Sequence, residues 1–174
     1  MRIAGKFFLA IRPFQVNPPW QTFTIVGGSS RIDSIACEKV IRINGRALIP
    51  LTPPAAAGAA AFDQGDVTSY LREGHVPPQS RVLDPSGYAS AALQYDFDLA
   101  PGELREILAV VPFYGFPSVP RPAMSPGEAH DYFDRASRAM TAFWEERLNQ
   151  VTITLPASAP PTLNTIRSNL AYVL

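Results

Sequence analysis

The residue order predicts a mainly β fold: an antiparallel β-sandwich, then a long C-terminal linker helix and the start of a helical domain. Three observations carry that reading. Asn44-Gly45, the favoured two-residue hairpin link, separates a β-branched run at 40–43 from Leu48, Ile49 and Leu51. From Ala89 to Leu99 the odd positions are apolar, while Ser90, Gln94, Asp96 and Asp98 are polar, the period of a half-buried strand. From Ser125 the period changes to that of a helix.

Taken in order, residues 6–16 read as a strand with Phe7, Leu9 and Ile11 on one side and Phe8 and Ala10 on the other. Apolar residues on both faces predict burial between layers. Pro13, Pro18 and Pro19 break it; Trp20, Phe23 and Ile25 form a short alternation that turns at Gly27-Gly28. The hairpin at 32–51 follows and ends at Thr52-Pro53-Pro54. Residues 55–61 are small and featureless, interrupted by Gly58, and predict tight packing without fixing a type. Asp66 to Gly74 reads as a short helix capped by Asp66, with Val67, Tyr70 and Leu71 inward. A loop through Pro77, Asp84, Pro85 and Gly87 precedes the 89–99 strand. Pro101-Gly102 then predicts a turn, with 104–111 running back beside that strand as a second hairpin.

The last third carries the strongest local signals. Ser125 is a good N-cap, Pro126 suits the first helical position and Glu128 completes a capping box. Tyr132, Phe133, Ala136, Met140, Phe143 and Trp144 recur on one face, with Glu145 and Glu146 on the polar side. Val151, Ile153 and Leu155 predict a strand, and Thr162 a cap for a second helix lined by Leu163, Ile166, Leu170, Val173 and Leu174. That helix lacks a stop signal, so the expectation is a fragment with a larger helical domain to follow. The expected organisation is a sandwich at 1–124, a linker helix at 125–150, and a strand with the first helix of a truncated toroid at 151–174.

Composition excludes several classes of function. Of 174 residues, 15 are Lys or Arg and 15 are Asp or Glu, so net charge gives no case for nucleic acid or an anionic membrane as partner. No stretch is apolar and long enough to span a bilayer. The opening Phe7 to Ile11 run is too short for a signal peptide, and Arg12 interrupts it. One cysteine, Cys37, allows no internal disulfide; this is compatible with the cytoplasm without proving it, and a secreted parent stays open.

Candidate chemistry is thin. Asp63 and Asp66 read as loop acceptor and cap, and Asp96 and Asp98 as a solvated sheet face. His75 and His130 lack ligand-spaced partners, so no metal or other cofactor is expected. Cys37 lacks a His partner. Arg12 and Arg31 read as structural partners of nearby aspartates. Trp20, Phe14, Tyr88 and Tyr114 lie in or beside Pro- and Gly-rich loops, where flat rings can stack on sugars. Plugging the sandwich ends is the plainer role for them. Self-association through apolar residues left bare at the end of the chain is a further expectation.

Four stretches together resemble a known group: Leu9-Ala-Ile-Arg-Pro-Phe-Gln-Val-Asn-Pro-Pro-Trp20, Phe62-Asp-Gln-Gly-Asp66-Val67, Gly87-Tyr-Ala-Ser90 and Asn164-Thr-Ile-Arg-Ser-Asn-Leu-Ala-Tyr172. They resemble the N-terminal β-sandwich region of large bacterial proteins similar to six-hairpin glycosidases. The resemblance implies a galactose-mutarotase-like supersandwich, a linker helix from Ser125, and an (α/α)6 toroid beginning after Thr162. It implies a non-catalytic accessory domain whose partner is that helical catalytic domain. A carbohydrate-binding module, or the structural part of an inactive glycosidase-like protein, is the alternative. The family's catalytic carboxylates lie in the toroid, so none is carried over to these residues.

Overall fold

A computed structural model of the chain describes residues 1–17, 28–112, 120–150 and 160–173. Among them, 31% are helical and 33% lie in strands, so the fold is mixed rather than mainly β. The chain divides into two compact units, Met1–Ala129 and His130–Leu174.

The first unit holds two antiparallel sheets. In the three-stranded sheet, β9 (Ser90–Leu99) lies between β1 (Ile3–Ile11) and β7 (Ala56–Ala60). The five-stranded sheet runs in the order β10 (Ala109–Val110), β6 (Arg46–Pro50), β5 (Ile41–Ile43), β4 (Ser34–Cys37), β8 (Arg81–Leu83). A separate ribbon pairs β2 (Phe14–Asn17) with β3 (Gly28–Ser30). One hydrophobic core draws on both large sheets: Ile35, Ile41, Leu48 and Val82 from one, Ala59, Ala91, Leu93 and Tyr95 from the other. Removing this apolar surface from water, at about 25 cal/mol per Å2, is the main force holding the sheets together.

The β5–β6 hairpin forms as the sequence predicts, with Ile43 opposite Arg46. Asn44 takes a left-handed φ of 53°, which asparagine tolerates. Its side chain does more than turn the chain. Oδ1 accepts from the N–H groups of Asp33 and Ser34 at 2.9 and 3.0 Å, and Nδ2 donates to the Arg31 carbonyl at 3.1 Å. The hairpin tip is thereby fastened to the segment entering β4.

Three expectations need correction, while the break at Pro13 falls where it is expected. The first strand is an edge strand, so it is half-exposed rather than buried between layers, with Phe7 46% exposed. Arg12-Pro13 splits it from β2, because proline has no N–H for the ladder. β9 is buried on both faces through Tyr95, so Ser90 and Gln94 are interior despite their polarity; alternation returns only at the exposed Asp96 and Asp98. The turn at 101–102 forms, with Gly102 at φ 79° and Glu103 N–H donating to the Ala100 carbonyl at 3.0 Å. The chain beyond it crosses to the other sheet, and β10 pairs with β6 rather than with β9, both of whose edges are occupied by β1 and β7.

The featureless 55–61 stretch contains β7. Its smallness has a cause: a Cβ on Gly58 would lie 1.7 Å from the Pro77 carbonyl oxygen. The Ala59 N–H donates to the Gln79 carbonyl at 2.7 Å, so the 77–79 segment lies directly over this strand. β8 then forms within what reads as an unbroken loop, its Val82 buried against β4.

The short helix α1 (Val67–Arg72) follows Asp66, with Val67 buried and Tyr70 and Leu71 half-buried. Helix α2 (Pro126–Leu148) has the expected capping box. The Glu128 N–H donates to Ser125 Oγ at 3.4 Å, and Glu128 Oε2 accepts from the Ser125 N–H at 2.9 Å. The Ser125 hydroxyl, donating to Glu128 Oε2 at 2.7 Å, and then the Ser125 N–H hold Glu128 below the usual carboxylate range, with Arg121 adding its charge. Helix α3 (Pro160–Val173) starts two residues before Thr162, because prolines at 160 and 161 fit the first turn, where no N–H is needed. The expected alternation around Trp20, Phe23 and Ile25, and the strand at 151–155, lie outside the described residues.

Candidate functional site

Two exposed aromatic residues of the first unit, Phe62 and Tyr88, meet at one mouth. Phe62 and Tyr88 are 66% and 47% exposed, and their ring centroids lie 5.5 Å apart with planes tilted by 49°. They line a cavity of about 340 Å3 together with Arg12, Pro13, Asp66 and Ser90.

Each wall has a local cause. Phe62 opens a 3-10 turn at Phe62–Gln64, closed where the Ala61 N–H donates to Gln64 Oε1 at 3.0 Å. Gly65 leaves the turn at φ 103°, a conformation that L side chains avoid, and Asp66 then starts α1. The Tyr70 hydroxyl donates to the Gln64 carbonyl at 2.6 Å, fixing that turn against the helix. Tyr88 is pinned on both sides by bonds to Ile32. The Ile32 N–H donates to the Gly87 carbonyl at 2.9 Å, and the Ala89 N–H donates to the Ile32 carbonyl at 3.1 Å. Gly87 sits at φ 80° under Arg31, whose Nη2 donates to the Pro85 carbonyl at 3.1 Å.

Asp84, 5% exposed, is bonded to both ring-bearing loops. Its Oδ2 accepts from the Phe62 N–H at 2.9 Å, and its Oδ1 accepts from the Ser86 N–H at 2.9 Å and from the Ser86 hydroxyl. The Ser86 hydroxyl bond holds the carboxyl below its usual range, aided by the N–H groups of Phe62, Ser86 and Tyr88. Asp66 is lowered as well, first by the Thr68 hydroxyl, with Arg12 and Arg72 adding their charges. Asp66 is exposed at the mouth and Arg12 stands across from it, so the rim carries one charge of each sign.

Of the four aromatics singled out from sequence, Tyr88 lies at this mouth. Phe14 opens β2 opposite Ser30 in register, and Trp20 and Tyr114 lie outside the described residues. Phe62 and Asp84 escaped the site reading. Their signals are legible in retrospect: a lone aromatic heading Asp-Gln-Gly-Asp, and Asp84-Pro-Ser-Gly87, where Asp first, Pro second and Gly fourth suit a β-turn.

Titratable groups away from the mouth are engaged or buried in several places. A larger cavity of about 420 Å3 is lined by Leu99, Leu104, Leu108 and Met124 together with Asp98 and Glu103, with no aromatic ring among its described lining residues. Those carboxylates are engaged, Asp98 by Arg2 Nε at 2.6 Å and Glu103 by the Ala100 N–H at 2.8 Å. Burial pushes the Cys37 thiol up to about 11, which leaves it protonated at neutral pH. His75 faces Glu73 at 3.0 Å, and His130 faces Asp134 at 3.6 Å. Among the described residues no group of three or more His, Cys, Asp or Glu is placed to hold a metal ion. Nor is any described helix long and apolar enough to cross a membrane.

On α2 the apolar face stays open: Phe133, Met140 and Phe143 are 52%, 57% and 44% exposed. Phe143 packs edge-on against Trp144 at 5.5 Å and carries the Arg147 guanidinium 4.4 Å from its ring centre. A scan against family models, and searches of curated proteins and of solved structures, found no match to this chain.

Proposed function

We propose that the chain is a non-catalytic accessory domain of a glycoside-hydrolase-like protein, and that it contacts carbohydrate at the Phe62–Tyr88 mouth. The observation that carries the reading is the exposed, edge-tilted ring pair over a cavity with one cation and one carboxylate at its rim. Sugars offer apolar C–H faces that stack on aromatic rings, and hydroxyl groups that bond to charged side chains. The fold is read as a galactose-mutarotase-like supersandwich, which two antiparallel sheets around one core support.

The open face of α2 is the surface for the helical catalytic domain. Such a stripe covers apolar area when another helix is laid against it. Pairing of two copies through the same face is the competing occupant. The chain itself performs no hydrolysis in this reading, since cleavage needs two carboxylates placed across the scissile bond.

The test is retention on immobilised polysaccharides in affinity electrophoresis, with hydrolysis assayed in parallel. The intact chain is expected to be retarded by at least one glucan, galactan, mannan or xylan, and to release no sugar. Phe62→Ala and Tyr88→Ala are expected to run as they do in plain gel. Retardation that survives both substitutions, or sugar release by the chain alone, contradicts the proposal.

A further inference from the structure

The glycan reading leaves the one buried carboxylate among the described residues without a role. Asp84 is the only charged side chain among the buried described residues, and it is not among the residues that line the mouth. A buried carboxylate needs hydrogen-bond donors to offset the loss of water. Asp84 finds these donors on two separate loops. One oxygen holds the start of the Phe62 turn, through the Phe62 N–H at 2.9 Å. The other holds Ser86 through its N–H at 2.9 Å and its hydroxyl, two residues before Tyr88. The carboxylate itself is anchored from below, its own N–H donating to the Asp33 carbonyl at 2.8 Å and its carbonyl accepting from the Gly87 N–H at 3.0 Å.

The rings are 26 residues apart in sequence, by difference of their numbers, yet their loops share this one acceptor. Neither oxygen can be exchanged for a donor without losing a loop. We infer that Asp84 is the positioning residue of the mouth: its two oxygens set the spacing of Phe62 and Tyr88, and so the ligand geometry the ring pair accepts. This rests on the carbohydrate reading for the ligand, but not for the ring geometry. Asparagine at 84 keeps the shape and one acceptor. Its amide nitrogen would face either the Phe62 N–H or the Ser86 donors, so one of the two loops would come loose.

The test compares Asp84→Asn, Phe62→Ala and Tyr88→Ala in the full chain, well below the unfolding temperature. Ring-to-ring NMR contacts between Phe62 and Tyr88 report the geometry without any ligand. Titration with β-linked tetrasaccharides of glucose, galactose, mannose and xylose reports binding. Asp84→Asn is expected to keep the two-sheet spectrum, to lose the ring contacts, and to weaken binding by roughly tenfold, as loss of a bond to a charged group implies. A folded Asp84→Asn with ring contacts and affinity unchanged overturns the inference. If Asp84→Asn does not fold, Ser86→Ala replaces it, since that change removes a single bond from the same carboxylate. It is expected to shift the Tyr88 ring signals and weaken binding, and no change in either overturns the inference. If Phe62→Ala and Tyr88→Ala bind like the parent, the carbohydrate reading falls, while the ring contacts still decide the role of Asp84.

Discussion

At the residue scale, the interior is decided by how polar atoms are satisfied. Tyr95 is 1% exposed and its hydroxyl has no hydrogen-bond partner in the described structure, an arrangement that costs stability. Burial accordingly raises its pKa. Tyr95→Phe keeps the ring, and with it the 6.2 Å contact to Phe7. It is expected to raise stability by about 1 kcal/mol in urea denaturation. A loss of stability would show that the hydroxyl has found a partner, such as an ordered water. Asp84 is the opposite case, a buried polar group fully engaged. Its folded pKa lies below the ordinary value of 3.8, so its contribution is complete above pH 3.8 and drains away as pH falls through the folded value. The urea midpoint of the parent is therefore expected to fall below pH 4 more steeply than that of Asp84→Asn. Equal slopes would mean that the carboxylate bonds are absent in solution. Neither residue stands out in sequence, because Tyr95 sits at an ordinary apolar position of an alternating strand and Asp84 in an ordinary turn. Burial and partners are properties of the assembled sheets.

At the scale of elements, signals that depend on near neighbours were legible. The capping box at Ser125 and Glu128 and the Asn44-Gly45 hairpin need only a few adjacent residues, and both form as read. Ser125→Ala is expected to cost about 1 kcal/mol by removing the cap of α2, measured as a loss of helical ellipticity on mild heating. Pairings that depend on distant residues were not legible. The run after Pro101-Gly102 pairs with β6 instead of β9 because β1, 80 to 96 residues before its β9 partners by the register, and β7 hold the two edges of β9. The small residues of β7 made sense only once the 77–79 segment was seen above them. Gly58→Ala is expected to destabilise the fold by about 2 to 3 kcal/mol, the upper range for overpacking, because the obstacle is a backbone carbonyl and not a flexible side chain. A near-neutral change, read by thermal melting, would mean that the 77–79 segment does not press on the strand.

At the scale of the molecule, the architecture places sheet ends and loops where binding residues collect, on a rigid support of two sheets with one core. The class of the elements was readable in part from hydrophobic period: β9 and α2 announce themselves, while β7 and β8 do not, and the fold is mixed where a mainly β one is expected. The candidate mouth was half readable, since Tyr88 announces itself beside glycines while Phe62 becomes its neighbour only through folding. The open α2 stripe was readable as an apolar face, but not as an exposed one. Exposure of Phe133, Met140 and Phe143 predicts that the chain by itself binds a hydrophobic dye such as ANS, and that the double substitution Phe133→Glu and Met140→Glu reduces the signal severalfold. Undiminished dye binding would place the open surface elsewhere. The measurement closest to the central claim is an aromatic NMR titration of the intact chain with the glucose, galactose, mannose and xylose oligosaccharides. The ring signals of Phe62 and Tyr88 are expected to move together and saturate with at least one of them. Saturable shifts confined to residues of the Leu99–Leu108 cavity, or no shift at either ring with any of the sugars, would contradict it.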